Sequence, residues 1–349
     1  MLKGSVMTAI HSDPSRQAIE QLLAGWPLAA RSRLVALIER HAHQGAFAIF
    51  DADNTSYQHD LLGALLPFME NKGILTRDTM QPSLALVPFQ DSTGRRETLH
   101  AYYQRLCELD DQISYPWASQ IFSGFTLREL KIELDDLLSS TQPIPVQSWV
   151  NGALQGAFVQ RPRVLPGQQA LYQALTHHGI EVFVVSAASE ELVRMVLADP
   201  SYGYGVKPEN VIGVSLLLKD RQTGQLTTAR KQIRDGCYQP LDLLGHELTP
   251  TLWAPLPWYE GKQAAIHTYV HRWKRPILVA GDTPASDGPM LFRSAHVEQG
   301  ALRLFVSRTE RHFETMAALR DDHAAEQLAH GLSVTAYDNW LVVQPHEIG

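Results

Sequence analysis

Cysteine is scarce in this sequence: its 349 residues include two, Cys107 and Cys237. They lie far apart and form no CxxC pair, which excludes a cysteine-built zinc site and a disulfide framework. They read as two ordinary buried thiols, with one long-range disulfide left open. Long apolar runs are missing too. None approaches the ~18 residues that a membrane-spanning helix requires. There is no basic excess: 30 Lys and Arg face 37 Asp and Glu, for a formal charge of −7. That balance argues against non-specific nucleic-acid binding and leaves a small phosphorylated substrate open. The N-terminal stretch has Lys3 but no signal-like apolar core, because His11, Asp13 and Arg16 interrupt it. The expected compartment is the cytoplasm, with the periplasm open if a leader has been removed. No repeat, low-complexity tract or HExxH spacing occurs. The 15 histidines, among them His41/His43 and His177/His178, read as solvated helix faces. What remains is a globular composition, 44% apolar and 19% charged. It supports a sizeable core, in one large domain or two modest ones.

Hydrophobic spacing organises the chain. Leu22, Leu23, Trp26, Leu34, Leu37 and Ile38 recur at helical intervals and predict a helix over 15–43. The run Ala46-Phe47-Ala48-Ile49-Phe50 has no polar break, as suits a parallel strand covered on both faces. It stops abruptly at Asp51. Ile180-Glu181-Val182-Phe183-Val184-Val185 stops at Ser186-Ala187-Ala188, ahead of a helix over 190–197. Pro276-Ile277-Leu278-Val279-Ala280 stops at Gly281-Asp282-Thr283. Ligands of open α/β sheets sit beyond the carboxyl ends of the strands, so three such tips can line one site. Between the first two tips, segments 58–73, 95–109 and 126–139 read as helices, with turns near Pro82, Pro88, Pro116 and Pro143. This predicts a mainly helical cap over 58–164, inserted into a core made of 1–57 and 165–349. Segments 211–218 and 225–228 flank a Gly-containing turn and predict a hairpin.

Asp51 and Asp53 stand two residues apart just after a strand. At such spacing one carboxylate can attack phosphorus and form an acyl-phosphate. The other can protonate the leaving oxygen and then deprotonate water. Attack on a phosphate dianion needs neutralising charge, which Mg²⁺ on carboxylate and carbonyl oxygens would supply. Asp282 and Asp287 offer further acidic groups, Ser186 a hydrogen bond to phosphate, and a lysine the rest of the cradle.

Four motifs then carry a resemblance. Asp51-Ala52-Asp53-Asn54-Thr55 resembles the DxDx[TV] motif of haloacid dehalogenase (HAD) phosphatases. Ser186 after Val184-Val185 is similar to their second motif, and Lys262 in Glu260-Gly261-Lys262-Gln263 to their third. Gly281-Asp282-Thr283-Pro284-Ala285-Ser286-Asp287 resembles their fourth, GDxxxxD. One DxDxT alone says little; four motifs in the family's order say much more. The resemblance implies an α/β fold, a Rossmann-like core with a parallel sheet and an inserted helical cap. It implies Asp51 as nucleophile and Asp53 as acid/base, with Ser186 and Lys262 on the phosphoryl group. Asp51, the Asp53 carbonyl and Asp282 would ligate Mg²⁺, with Asp287 on a metal water or on Lys262. The position of the cap is similar to that in the phosphoserine phosphatase branch. Within that branch, Asp53-Asn54-Thr55-Ser56-Tyr57, 122–130, Ser186-Ala187-Ala188 and Gly281-Asp282-Thr283-Pro284 resemble bacterial phosphorylcholine phosphatases, a likeness running over most of the chain. That group is expected to carry glutamates soon after the first motif, facing a quaternary ammonium. Leu62 and Gly63 stand there instead.

Several of these residues also have plainer readings. Asp51 and Asp53 alone would be a turn and a helix cap. Ser186 alone would be a cap, and Lys262 a surface lysine. Lys207 and Lys231 are rivals of Lys262, but neither follows a glycine at a helix start ahead of Asp282. For the substrate, Tyr57, Asp60, Glu108, Asp110, Asp111 and Trp117 could present negative charge and π faces to a cation; a solvated loop beside packed aromatics reads as well. His271-Arg272-Trp273-Lys274-Arg275 reads as a surface helix end. The expected function is a Mg²⁺-dependent phosphomonoesterase on a small phosphomonoester, with phosphorylcholine or a related phosphorylated amine first. A non-catalytic phosphate-ligand binder and a phosphotransferase to an acceptor other than water use the same residues. The oligomeric state is left open.

Overall fold

The computed structural model describes residues 14–92 and 94–349. The Lys3–Asp13 stretch, read for a signal, lies outside them. Instead of one helix over 15–43, two form: α1 (Pro14–Leu22) and α2 (Leu28–His41). Pro27 is the reason. Its ring disfavours helical geometry at the preceding residue. Trp26 therefore leaves the helical path and buries its ring, with its indole N–H donating to the Gly167 carbonyl at 2.8 Å.

In chain order there follow β1 (Phe47–Phe50), β2 (Tyr57–Gln58), α3 (Leu61–Asn71), α4 (Leu99–Leu109), α5 (Asp111–Gln120) and α6 (Leu127–Ser139). Next come β3 (Ile144–Val150), β4 (Ala153–Val159), β5 (Arg163–Val164), α7 (Pro166–His177), β6 (Glu181–Ser189) and α8 (Glu190–Leu197). Then come β7 (Val211–Asp220), β8 (Leu226–Thr227), α9 (Ala229–Arg234), β9 (His246–Trp253) and α10 (Glu260–Ala265). The chain ends with β10 (Leu278–Gly281), α11 (Pro284–Arg293), β11 (Leu302–Val306), α12 (Glu310–Ala329) and β12 (Trp340–Val343).

The fold is α/β. Eight strands form the central sheet, in the order β12-β11-β10-β1-β6-β7-β8, with β9 also paired to β7. All pairings from β12 to β7 are parallel; β8 and β9 run antiparallel to β7. Every residue of β1 is buried, as the unbroken apolar run requires of a strand covered on both faces. Enclosing Phe50 alone is worth about 2–3 kcal/mol. The hairpin expected around 220–224 is β7–β8, closed by Asp220 N–H to the Gln225 carbonyl at 3.0 Å.

Between β1 and β6 the chain adds no strand to the central sheet among the described residues. It leaves along β2 and returns along β5, and these two pair antiparallel through Tyr57↔Val164 and Gln58↔Arg163. The segment between them holds α3–α6 and the β3–β4 hairpin. The turn expected near Pro116 is absent: Pro116 lies inside α5. Asp110 caps that helix through the Gln112 N–H at 2.7 Å, and Trp117 and Ala118 are buried. Cap and packing outweigh the hydrogen bond that proline removes. The expectation of buried thiols also fails: Cys107 and Cys237 are both free and exposed. Cys107 falls next to Leu106, the residue that α4 turns inward. No described helix is long and apolar enough to cross a membrane.

Candidate active site

Strand β1 lies where the sheet order reverses, between β10 and β6. Phe50 is level with Ala280 on one side and Val184 on the other. Asp51, Asp282 and Ser186 therefore emerge at one end of the sheet, in the crevice such a reversal opens. The loop after β1 is held by its own polar groups. The Ser56 hydroxyl donates to the Asp51 carbonyl at 2.5 Å and meets the Tyr172 hydroxyl at 2.6 Å. Asn54 takes a left-handed φ of 58° and accepts the His59 N–H on its side-chain oxygen at 2.9 Å. Asp53 turns towards the start of α3, where its Oδ1 accepts the Leu61 N–H at 2.9 Å.

Lys262 arrives from across the molecule. Helix α10 starts tight against the preceding turn: a Cβ on Gly261 would stand 1.9 Å from the Leu256 carbonyl oxygen. The next residue, Lys262, is buried, with Nζ 2.6 Å from Asp51 Oδ1 and 2.5 Å from Asp287 Oδ1. The other oxygen of Asp287 accepts the backbone N–H groups of Asp282 and Thr283, both at 2.9 Å. Gly281 leaves room for this, since a Cβ there would lie 2.6 Å from that of Asp287. Ser186 is buried and accepts the Ala188 N–H at 3.1 Å.

The site is short of positive charge. Asp51, Asp282 and Asp287 bring carboxylate oxygens within 4.8 Å of one another. Burial pushes Asp51 up to about 6 even with Lys262 beside it, and Asp287 adds to the rise. Burial also holds Asp282 well above the carboxyl range, against the pull of Arg308. Asp53, half-buried, is raised well above its ordinary value by desolvation, then by Asp60 and Asp51. Burial opposes the charge on Lys262, but Asp287 and Asp51 outweigh it and hold the ammonium above its usual range. A cluster of hard oxygen donors with this deficit fits a small divalent cation.

No family model matches the chain. The phosphorylcholine phosphatase of Pseudomonas aeruginosa is 54% identical over 332 residues, which cover 95% of this chain and 95% of that protein. The chain belongs to the phosphorylcholine phosphatase family. It is thus a phosphoric monoester hydrolase, and the HAD motifs agree with that placement. A solved structure of a functionally unknown protein from Anaerococcus prevotii superposes with a TM-score of 0.57 at 19% identity. It covers 88% of this chain and 91% of its own, a likeness of fold alone.

Seen within the phosphorylcholine phosphatase family, the residues singled out from the sequence separate into groups. Asp51, Asp282, Asp287 and Lys262 meet directly. The carboxylate of Asp53 is engaged at the start of α3, on the Leu61 N–H. Tyr57 is buried beside Asp53, and burial, then the Asp53 charge, push its hydroxyl well above the usual range. Asp60 caps α3 through the Gly63 N–H at 2.6 Å and is exposed, close enough to Asp53 to raise it. Asp111 accepts the Tyr259 hydroxyl at 2.5 Å. Glu108 and Asp110 are exposed, and Asp110 is spent on capping α5. Trp117 is packed inside, stacked on Tyr103, with its indole N–H on the Leu84 carbonyl at 2.8 Å. Leu62 is buried and brings no charge to the site.

The sequence reading missed Arg308. Its Nε lies 2.6 Å from Asp282 Oδ2. It follows β11, a fully buried strand whose run Leu302–Val306 also ends at polar residues. Extending the strand-tip argument to this fourth run would have found it.

Proposed function

We propose that this chain hydrolyses phosphorylcholine or a closely related phosphorylated amine, using Mg²⁺ and an aspartyl-phosphate on Asp51. The observation that carries the reading is Lys262, buried between Asp51 at 2.6 Å and Asp287 at 2.5 Å. Asp51, the Asp53 carbonyl and Asp282 would hold the ion, with Asp287 behind them. When bound, Mg²⁺ supplies the positive charge that an anionic nucleophile needs against a phosphate dianion. The substrate follows the relative's name.

In the first step an oxygen of Asp51 forms a bond to phosphorus as the bond to the leaving oxygen breaks. The leaving oxygen takes the proton of Asp53. The elevation of Asp53 supports this role, because a general acid must still carry its proton near neutrality. In the second step Asp53, now ionised, takes a proton from water as that water bonds to phosphorus and Asp51 departs. Lys262 and Ser186 hold the equatorial oxygens. Residues 58–164 act as the cap over a core of 1–57 and 165–349, limiting leaving-group size and excluding bulk water.

Asp60 is the carboxylate best placed to face a cationic leaving group, since it stands beside Asp53. Leu62 and Gly63 contribute no charge there. A raised KM for phosphorylcholine with kcat largely preserved is therefore expected. The test compares kcat/KM for phosphorylcholine, phosphorylethanolamine, phosphoserine and a neutral sugar phosphate, alongside Asp51→Asn. Full activity in Asp51→Asn with an intact fold would overturn the nucleophile. A clear preference for the sugar phosphate would overturn the cationic substrate and leave the phosphatase standing.

A further inference from the structure

Five carboxyl groups gather around the crevice: Asp51, Asp53, Asp60, Asp282 and Asp287. Two cations reach them, Lys262 and Arg308. The ammonium of Lys262 is shared between Asp51 and Asp287, so the cation in direct contact with Asp282 is Arg308, beside weaker hydroxyl contacts from Thr55 at 3.4 Å and Thr283 at 3.2 Å. Asp282 is buried, and a buried carboxylate without a partner is strongly destabilising. We infer that Arg308 is an exchangeable counter-ion of the metal site, neutralising Asp282 in the metal-free enzyme and giving way when a divalent cation binds. The inference rests on the proposed divalent-metal reading.

The contrast with Arg303, on the strand that Arg308 follows, shows why Arg308 can move. Arg303 is 1% exposed, and its guanidinium donates to the carbonyls of Leu291, Phe292, Thr335 and Asp338 at 2.7–3.2 Å. It is fixed from every side. The side chain of Arg308 is 32% exposed, and among the described residues its hydrogen-bond contacts beyond Asp282 are Thr283 Oγ1 and His312 Nε2, each at 3.3 Å. It borders a polar cavity of about 560 Å³ that also contains Glu310, Gln344 and Glu347. A displaced guanidinium would therefore find water and other carboxylates nearby. A dication on Asp282 would face Arg308 across a single carboxylate, and that repulsion supplies the driving force.

Calorimetric titration of metal-free protein with Mg²⁺, paired with melting curves, tests this in the full chain. Arg308→Gln should bind Mg²⁺ about tenfold tighter than wild type. Its metal-free Tm should fall, and saturating Mg²⁺ should restore it. Arg308→Lys, which keeps the charge but not the guanidinium fork, should fall between the two. Unchanged or weaker Mg²⁺ binding in Arg308→Gln would overturn the inference. An equal loss of Tm with and without Mg²⁺ would also overturn it, by making Arg308 merely structural. A wild type that gives no binding heat and no melting shift with Mg²⁺ would remove the metal reading itself, and the inference with it.

Discussion

The Tyr259 hydroxyl donates to the Asp111 carboxylate at 2.5 Å, tying the first turn of α5 to the residue that precedes α10. Beside it, Trp258 Nε1 donates to the Gln112 side chain at 2.8 Å. The inserted segment is thus fastened next to the turn that delivers Lys262. Tyr259→Phe removes this bond and little volume. A loss of about 1 kcal/mol in denaturant stability is expected, with KM rising severalfold and kcat nearly kept. Steady-state kinetics check it, and an unchanged KM would show that the clamp has no part in holding substrate.

Gly261→Ala tests how Lys262 is presented. The new Cβ would lie 1.9 Å from the Leu256 carbonyl oxygen, a backbone atom that cannot swing aside. Helix α10 must shift, taking the ammonium off Asp51. A fall in kcat of about 100-fold or more is expected, in line with the removal of a preorganised electrostatic contact. Wild-type turnover in this variant would mean that the 2.6 Å contact between Lys262 and Asp51 does not limit the chemistry.

Metal exchange probes the carboxylate cluster. Mg²⁺ should support turnover, chelation should abolish it, and Ca²⁺ should substitute poorly. Ca²⁺ takes more ligands at longer distances and would draw the second oxygen of Asp51 into coordination, where it could no longer attack. Equal rates with Ca²⁺ would contradict the proposed use of Asp51.

His100 predicts an acid sensitivity outside the site. It is buried on α4, and that burial lowers its imidazole from 6.5 to about 4. The folded state therefore binds this proton less readily than the unfolded chain. Stability should be intact above pH 6.5 and lost as pH falls towards 4, by on the order of 3 kcal/mol from this group. Denaturation curves of wild type and His100→Gln across that window isolate the effect, because other groups cancel in the difference. Parallel pH profiles would rule it out.

Much of this fold is legible locally. β1 and β10 announce themselves as apolar runs that stop at polar residues, and the helix expected over 190–197 is α8 as formed, whereas β6 runs on through Ser186 to Ser189. Fully covered parallel strands need continuous hydrophobicity, so their ends show in the sequence. Asp51 and Asp282 were placed at strand ends by that signal alone. Other features depended on packing. Pro27 splits the first helix while Pro116 does not split α5, because Trp117 and its neighbours hold the second. Both thiols lie outside, a placement that an isolated cysteine, with no periodic signal of its own, does not announce.

The sequence by itself determined the sheet core, the strand ends and which residue types stand there, because these follow from hydrophobic periodicity within a few positions. Only the tertiary structure decided which charges meet. Lys262 reaches Asp51 across 211 residues, and Arg308 reaches Asp282 from just past the end of the neighbouring strand β11. Those pairings depend on strand order and on the room left at Gly261 and Gly281. Strand order arises from long-range packing and buried charge needs a nearby partner, so neither can be read from a local stretch of residues.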